Sequence, residues 1–441
     1  MKRGIFYTFL TQAPTLLMYF VASTAMTRLL GDEGRGEYAL ITNLTALLSM
    51  VMGLNIGFGI TYFTARSNTD HKAAIGTSMT LLLVNLALIP VILWGISYSD
   101  VLMRIFMPEG RTQWYFWAFI LLAVILSMLN SAISGVLLGL KNFAAINVMS
   151  LFTAGSSAVG FILLYLFRDS VPEHDRFTAV LAVTGASMIL VSLAWSWYYM
   201  RHVGLIPRPL TDWRLMRPVI AFTLVGHMSN LINLINYRFD IWVVDVYHGP
   251  AQLGLYAVAV GLGQLLFQIP EPFSRVAQPF LFGQVKDEMI ARFKSVARIS
   301  FSAVLVAAVG MALTAHWVVP LLFGEVFQGS VVALYFLLPG ILFSSAFKVL
   351  AQLSVHGGLQ HYNLLGTMVG AFTTILLDLL LIPQMGIIGA ALASSIAYLV
   401  ILLVMIRVIH VKMGITVFDT FFVHAGDVRE VRRMINRRTE Q

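Results

Sequence analysis

Long apolar blocks dominate the chain, each near the ~20 residues a helix needs to cross a bilayer, and short polar interruptions separate them. Twelve blocks qualify, at about 5–30, 37–62, 74–98, 114–138, 143–167, 178–200, 217–239, 251–282, 296–322, 331–354, 361–383 and 386–409. None has the alternating pattern of barrel strands, and an open strand edge cannot face lipid, so the blocks predict helices. The pattern predicts an all-α integral membrane protein with twelve transmembrane helices.

The polar interruptions repeat. Gly31, Gly36, Tyr38 and Ala39, which close the first block and open the second, return as Gly249, Gly254, Tyr256 and Ala257 at an offset of 218. Gly139-Leu140-Lys141-Asn142-Phe143 aligns with Gly358-Leu359-Gln360-His361-Tyr362 at an offset of 219, and Ile105-Phe106 with Leu322-Phe323 at 217. Three matches near one offset predict two related halves of six helices each. Six is even, so both halves enter the membrane in the same sense, related by a pseudo-two-fold axis along the membrane normal. The expected organisation is a six-helix bundle at 1–200, a cytoplasmic basic linker at 201–217, a second bundle at 218–415 and a basic cytoplasmic tail at 416–441.

Composition agrees. Apolar residues make up 58% of the chain and charged residues 11%, more apolar surface than a soluble protein of 441 residues can hide. There is no cysteine, hence no disulfide or thiolate metal site. The net charge of +8 would suit nucleic acid, but topology accounts for it. With the N-terminus inside, Lys2, Arg3, Arg66, Lys72, Lys141, Arg201, Arg208, Arg214, Arg217, Lys286, Arg292, Lys294, Arg298 and the tail from Arg407 to Arg438 all fall on the cytoplasmic side. The outside carries fewer basic residues, most beside an acid, so both termini are expected in the cytoplasm and no nucleic-acid partner is expected. The first block, Gly4 to Leu30, is too long for a signal-peptide core and belongs to the repeat.

Arg28-x-Leu30-Gly31-x-Glu33-Gly34-x-Gly36-x-Tyr38 after a first helix resembles the opening of the bacterial polysaccharide flippases, part of the multidrug/oligosaccharidyl-lipid/polysaccharide exporter superfamily. The Phe323-Gly324-Glu325-x-Phe327 loop, the glycine run of helix two (Gly53, Gly57 and Gly59), the helix count and the two-bundle repeat are similar too. The resemblance covers the chain to about residue 415. It implies a transporter in the bacterial cytoplasmic membrane that flips a polyprenyl-diphosphate-linked oligosaccharide from the cytoplasmic to the outer leaflet by alternating access. The bilayer and the lipid-linked glycan are its implied partners, alongside other polysaccharide-assembly proteins. The internal repeat makes a monomer sufficient.

Transporters with related halves place their sites where helices break at corresponding positions. Gly53, Gly57 and Gly59 loosen helix two; Pro270, Pro272 and Pro279 interrupt helix eight at offset 218. Close glycine packing and a static proline kink are the competing readings. Charges at membrane depth usually face a cavity or a partner. Arg275 either pairs with Glu271, four residues earlier, or grips a diphosphate with its planar fork. Arg28 fixes its loop through Asp32 or Glu33, or lines the cavity; Arg66 is topogenic or meets the headgroup; Lys348 snorkels or binds substrate. Arg238, Asp240 and Asp245 form an outer salt-bridge cluster, with Arg238 also a candidate substrate contact. Asp378 is an isolated acid in helix eleven that binds a coupling cation or proton, or partners Arg238; Na+ or H+ is the expected coupling ion, and no other cofactor is expected. Asn230, Asn233 and Asn236 make a polar stripe for sugar hydroxyls or helix–helix hydrogen bonds, and Asn55 sits in the helix-two break. His227 and His316 are expected to be hydrogen-bonded packing residues, and Trp195, Trp197, Tyr198 and Tyr199 an interfacial belt.

Two other functions compete. A cation-coupled multidrug exporter of the same superfamily commonly uses acids in its first bundle, and the first-half spans hold none once Glu37 is counted as loop edge. A membrane polymerase or ligase needs a large outside loop; the longest here runs from about Arg168 to Phe177, and no catalytic constellation stands out.

Overall fold

The computed structural model describes residues 2–66, 68–109, 111–204, 208–269, 286–356, 359–414 and 421, and among them there is no strand. In chain order the helices are α1 (Lys2–Gly53), α2 (Ile56–Arg66), α3 (Asn68–Tyr98), the short α4 (Asp100–Phe106), α5 (Trp114–Gly139), α6 (Phe143–Leu166), α7 (Arg176–His202), α8 (Trp213–Leu266), α9 (Lys286–Phe323), α10 (Ser330–His356) and α11 (Gln360–Met413). Eight helices among the described residues are long and apolar enough to cross a membrane, or nine when α1 and α2 count as one bent span.

The repeat is visible in the backbone. At 54 residues, α8 is far longer than one crossing needs, and α1, at 52, is comparable. Each turns at the glycine that the repeat pairs: Gly31 has φ 70° and ψ −172°, and Gly249 has φ 77° and ψ 177°. α11 turns the same way at Gly386 (φ 58°, ψ −137°). One residue in a region that only glycine adopts readily kinks the chain there, with helix on both sides and no loop between. Pro250 follows Gly249, where a first-turn proline forfeits no helix bond. Counted by legs, the described helices follow the apolar blocks in order, the block at 251–282 being described only to residue 269.

This corrects several expected boundaries. Helix resumes directly after Gly31, so residues 32–36 are helical and Glu37 lies inside the second leg of α1, only 7% exposed. The first leg of α8 runs on to the turn at Gly249, so Arg238, Asp240 and Asp245 lie within a helix and not at its outer end. Trp195 and Tyr199 are buried in a core with Ile60, Val136 and Val219; of the expected belt, Trp197 stays well exposed.

The chain forms two compact units that interleave in sequence. One holds residues 1–234, 241–257 and 322–326; the other holds 235–240, 258–321 and 327–441. Within the first unit the two repeated glycine motifs meet. A Cβ at Gly36 would run into the Pro250 carbonyl oxygen and stand 2.9 Å from the Gly254 nitrogen; one at Gly254 would strike the Asp32 carbonyl. Two helix backbones therefore touch where only hydrogen fits. Beside this crossing, Glu37 accepts a hydrogen bond from the Arg111 guanidinium at 2.9 Å, and Arg111 lies 4.5 Å over the Phe177 ring. The inner core of this unit gathers Ile41, Leu44, Phe116, Ile120 and Leu181. In the second unit Val349, Leu350, Leu353, Leu402 and Met405 do the same.

The crossing yields a stability prediction. Gly254→Val should lower the unfolding free energy of the purified protein by at least about 2 kcal/mol, because its side chain meets rigid backbone. Gly261→Ala, which faces open space, should change it by less than about 1 kcal/mol. Thermal or denaturant unfolding in detergent measures both.

Candidate functional site

α1 ends at Gly53 and α2 begins at Ile56, with Leu54 and Asn55 between them in the left-handed region at φ 45° and 54°. The two helices bend by 45° at this break. Left-handed backbone is costly for leucine, so the surroundings must hold it. One support is visible: the Asn85 amide donates to the Met52 carbonyl at 2.9 Å, satisfying an acceptor that the helix end orphans. Of the three glycines expected to loosen helix two, Gly53 adjoins the break. Gly57 and Gly59 serve close packing instead: a Cβ at Gly57 would strike Ser131, and one at Gly59 would strike Thr223.

The break opens onto a cavity of about 470 Å³ inside the first unit. α1 presents Thr42, Thr45 and Ser49 to it, at helical spacing on one face. α5 adds Ser127 and Ser131, α7 adds Thr184, and α8 adds His227 and Asn230. Asn55 lines it from the break itself, while Phe119, Met128 and Met188 supply apolar wall. Among the described residues the lining holds no Asp, Glu, Lys or Arg. Two buried lining atoms have no hydrogen-bond partner, the Ser49 hydroxyl and His227 Nδ1. His227 is thus not the internally bonded packing residue expected of it; His316, by contrast, bonds Gln328 at 2.9 Å. In the C-terminal half of α2, Phe222 stacks on Tyr62 with ring centroids 4.2 Å apart.

The asparagine stripe divides. Asn230 faces the cavity, and Asn233 is half-buried outside its lining. Asn236 is a joint of the second unit: its amide donates to the Thr367 carbonyl at 3.0 Å, and its own oxygen accepts from the Thr374 hydroxyl at 3.3 Å.

The expected charged residues do not converge on the cavity. The Arg28 guanidinium donates to the Leu322 carbonyl at 2.6 Å within the first unit. Lys348 lies 4.4 Å over the Phe267 ring in the second. Arg238 is half-buried and stands two residues before Asp240 on α8, a spacing at which side chains point to different sides of a helix. Asp245 lies in the field of Glu37 and Glu109. Asp378 is fully buried, neither carboxylate oxygen has a hydrogen-bond partner, and its acidic neighbour is Asp240. Arg66 ends α2, and only its backbone is described. Arg275, Glu271, Pro270, Pro272 and Pro279 lie outside the described residues, as does most of the tail.

A family model described as polysaccharide biosynthesis protein matches residues 1–285. The chain belongs to this family. The polysaccharide biosynthesis family member has the fold of solved transporters at low sequence identity. It superposes on the lipid II flippase MurJ in an inward closed conformation with a TM-score of 0.72 and 12% identity, covering 93% of this chain and 90% of that one. An inward-facing multidrug resistance MATE family transporter gives a TM-score of 0.65 at 13% identity, over 92% and 98% of the two chains. A superfamily transporter from Pyrococcus furiosus, titled as having a binding pocket of reverse polarity, gives 0.55 at 13%, over 92% and 95%. No curated protein sequence matches the chain. The protein is thus a multi-pass, all-helical member of the polysaccharide biosynthesis family whose fold is that of these solved transporters.

Most of the cavity was not singled out from the sequence of this family member. The signal was present in Thr42, Thr45 and Ser49 at i, i+3 and i+7, and in Ser127 and Ser131 at i and i+4. Hydroxyls are common in membrane helices, where they bond back to the preceding turn, as Thr45 does to the Ile41 carbonyl at 2.9 Å. That background hides the stripe.

The unsatisfied carboxylate gives a second prediction. Asp378→Asn should raise the thermal stability of the purified protein, by about 1–3 kcal/mol, since it removes a buried ionisable group without a hydrogen bond. Differential scanning fluorimetry would show it; a fall in stability would mean that the carboxylate has a structural partner.

Proposed function

We propose that this protein flips a polyprenyl-diphosphate-linked oligosaccharide from the cytoplasmic to the outer leaflet of a bacterial cytoplasmic membrane, by alternating access, as a step in surface polysaccharide assembly. The observation that carries this reading is the uncharged, hydroxyl- and amide-lined cavity at the broken helix of a polysaccharide biosynthesis family member. Its chemistry suits a glycan. A cation-coupled drug exporter would need an acid in such a cavity, and the nearby buried acid of the first unit, Glu37, is engaged by Arg111 and does not line it. The MurJ likeness supports a flippase fold without naming the substrate. No catalytic role is proposed.

In this reading the diphosphate needs cations, and Arg275, Arg28, Arg66, Lys348 and Arg238 are its proposed contacts, with Asn55 and Asn233 toward the glycan. Asp378, with Asp240 beside it and Glu271 as a further charge partner, is the proposed coupling group for Na+ or H+. Asp240 and Asp378 are both buried and near each other, and a pair of buried acids suits a bound ion or a shared proton. Helix breaks at Gly53 and at Pro270, Pro272 and Pro279 would supply bending, and the glycines at 57 and 59 close packing.

Two measurements test the proposal. Cells lacking the protein should accumulate lipid-linked sugar that an external glycosidase cannot reach, and restoring the gene should clear it; unchanged lipid-linked sugars in both leaflets would sink the reading. Arg275→Ala should lower surface glycan export at least about tenfold with protein level and insertion intact, and Arg275→Lys should fall between if a bidentate grip matters. Normal export in Arg275→Ala would remove that residue from the site.

A further inference from the structure

We infer that the cavity of the first unit is a glycan-selectivity pocket that takes the uncharged sugar of the lipid-linked headgroup and rejects acidic sugars. The inference rests on the flippase reading and adds which part of the substrate binds there and what it must carry. Three observations converge. The cavity, about 470 Å³, falls in the range of small-molecule sites, ~300–1,000 Å³. Its wall alternates hydroxyls with apolar surface: Thr42, Thr45 and Ser49 stand on one helix face, and Phe119 and Met128 form apolar wall. A pyranose has the same character, with hydroxyls at its rim and C–H groups on its faces.

The second observation is the pair of buried, unpartnered atoms. His227 is 3% exposed and its Nδ1 has no protein partner; the Ser49 hydroxyl has none either. Buried polar atoms are normally bonded, and leaving one open is costly. Both residues line the cavity, and a side-chain rotation would bring either atom, now without accessible surface, to a ligand hydroxyl inside it. Asn230 and Asn55 offer both donors and acceptors to the same ligand.

The third is the absence of full charge from the described lining. A carboxylate placed there loses its water and gains no Arg or Lys. Buried charges without a partner are strongly disfavoured, whereas a neutral sugar exchanges water hydrogen bonds for protein ones. The pocket therefore discriminates by charge. The break at Leu54–Asn55 is what opens it: an unbroken helix would satisfy its own backbone and carry α2 along the axis of α1, whereas the 45° bend turns α2 away.

The test uses the purified full-length protein in detergent and four probes: farnesyl diphosphate, farnesyl diphosphate bearing lactose, the same lipid with galacturonate as its terminal sugar, and free lactose. Calorimetric titration should show the lactosyl lipid binding about tenfold tighter than farnesyl diphosphate, and the galacturonyl lipid losing that gain. Ser49→Ala, which deletes an unbonded hydroxyl and should fold normally, should reduce the ratio of the two affinities, and His227→Phe with Asn230→Leu should bring it to about one. A ratio of one in the native protein overturns the sugar pocket while leaving the flippase reading intact. A galacturonyl lipid that binds as tightly as the lactosyl lipid overturns the charge selectivity. Free lactose that saturates the protein without any lipid assigns the pocket to a soluble sugar and overturns the headgroup assignment. Failure of all three lipids to bind overturns the flippase reading and the pocket with it.

Discussion

A bilayer offers no water to an unbonded peptide group, so this chain must change direction without exposing backbone. At three points it does so with a single residue. Gly31, Gly249 and Gly386 turn the chain inside what is otherwise unbroken helix. The first two of these turns, related by the repeat, carry the glycines that meet at the Gly36–Gly254 crossing. Backbone contact there follows from the same economy. Helices that gain no hydrophobic energy from leaving lipid associate through close packing, and glycine allows the closest. Where the chain breaks within a span, at Leu54–Asn55, it pairs the orphaned Met52 carbonyl with Asn85. A turn thus needs one glycine, and a break needs a dedicated polar partner.

The pattern of apolar blocks made the helices and their order legible, and the glycine repeat made the two halves legible. Boundaries were less so. A loop was expected at 31–36 because charged residues cluster there, yet Gly31 turns alone and Asp32, Glu33 and Arg35 ride on the new helix. Charge density marks the membrane edge and does not mark the end of a helix. The first leg of α8 shows the same effect: Arg238, Asp240 and Asp245 suggested an end, but the helix continues to Gly249. The break in helix two was legible to within a few residues from its glycines. Which of them permit the break and which serve packing was not, because that depends on Ser131 and Thr223, far away in sequence.

The candidate site was legible mainly in its amides. Asn55 and Asn230 stand out on apolar helices, and both line the cavity. The hydroxyls did not stand out, and His227 was assigned to packing because a lone histidine in a helix usually finds a partner. Lack of a partner is not a marker by itself. Thr27 and Asn43 are also buried without hydrogen bonds, and neither lines the cavity. What separates Ser49 and His227 from them is convergence on one cavity from different helices, which only the fold supplies.

The polar groups of the two units differ in kind. The first presents uncharged hydroxyls and amides to a cavity; the second buries Asp378 beside Asp240. Both sets draw on α8. His227 and Asn230 belong to the part of this helix in the first unit, Asn236 and Asp240 to the part in the second. Within the second unit, Asn236 donates to the Thr367 carbonyl and accepts from the Thr374 hydroxyl, which fastens its stretch of α8 to α11, the helix that carries Asp378. The acid pair is therefore held by amide–hydroxyl bonds between the two helices that supply it.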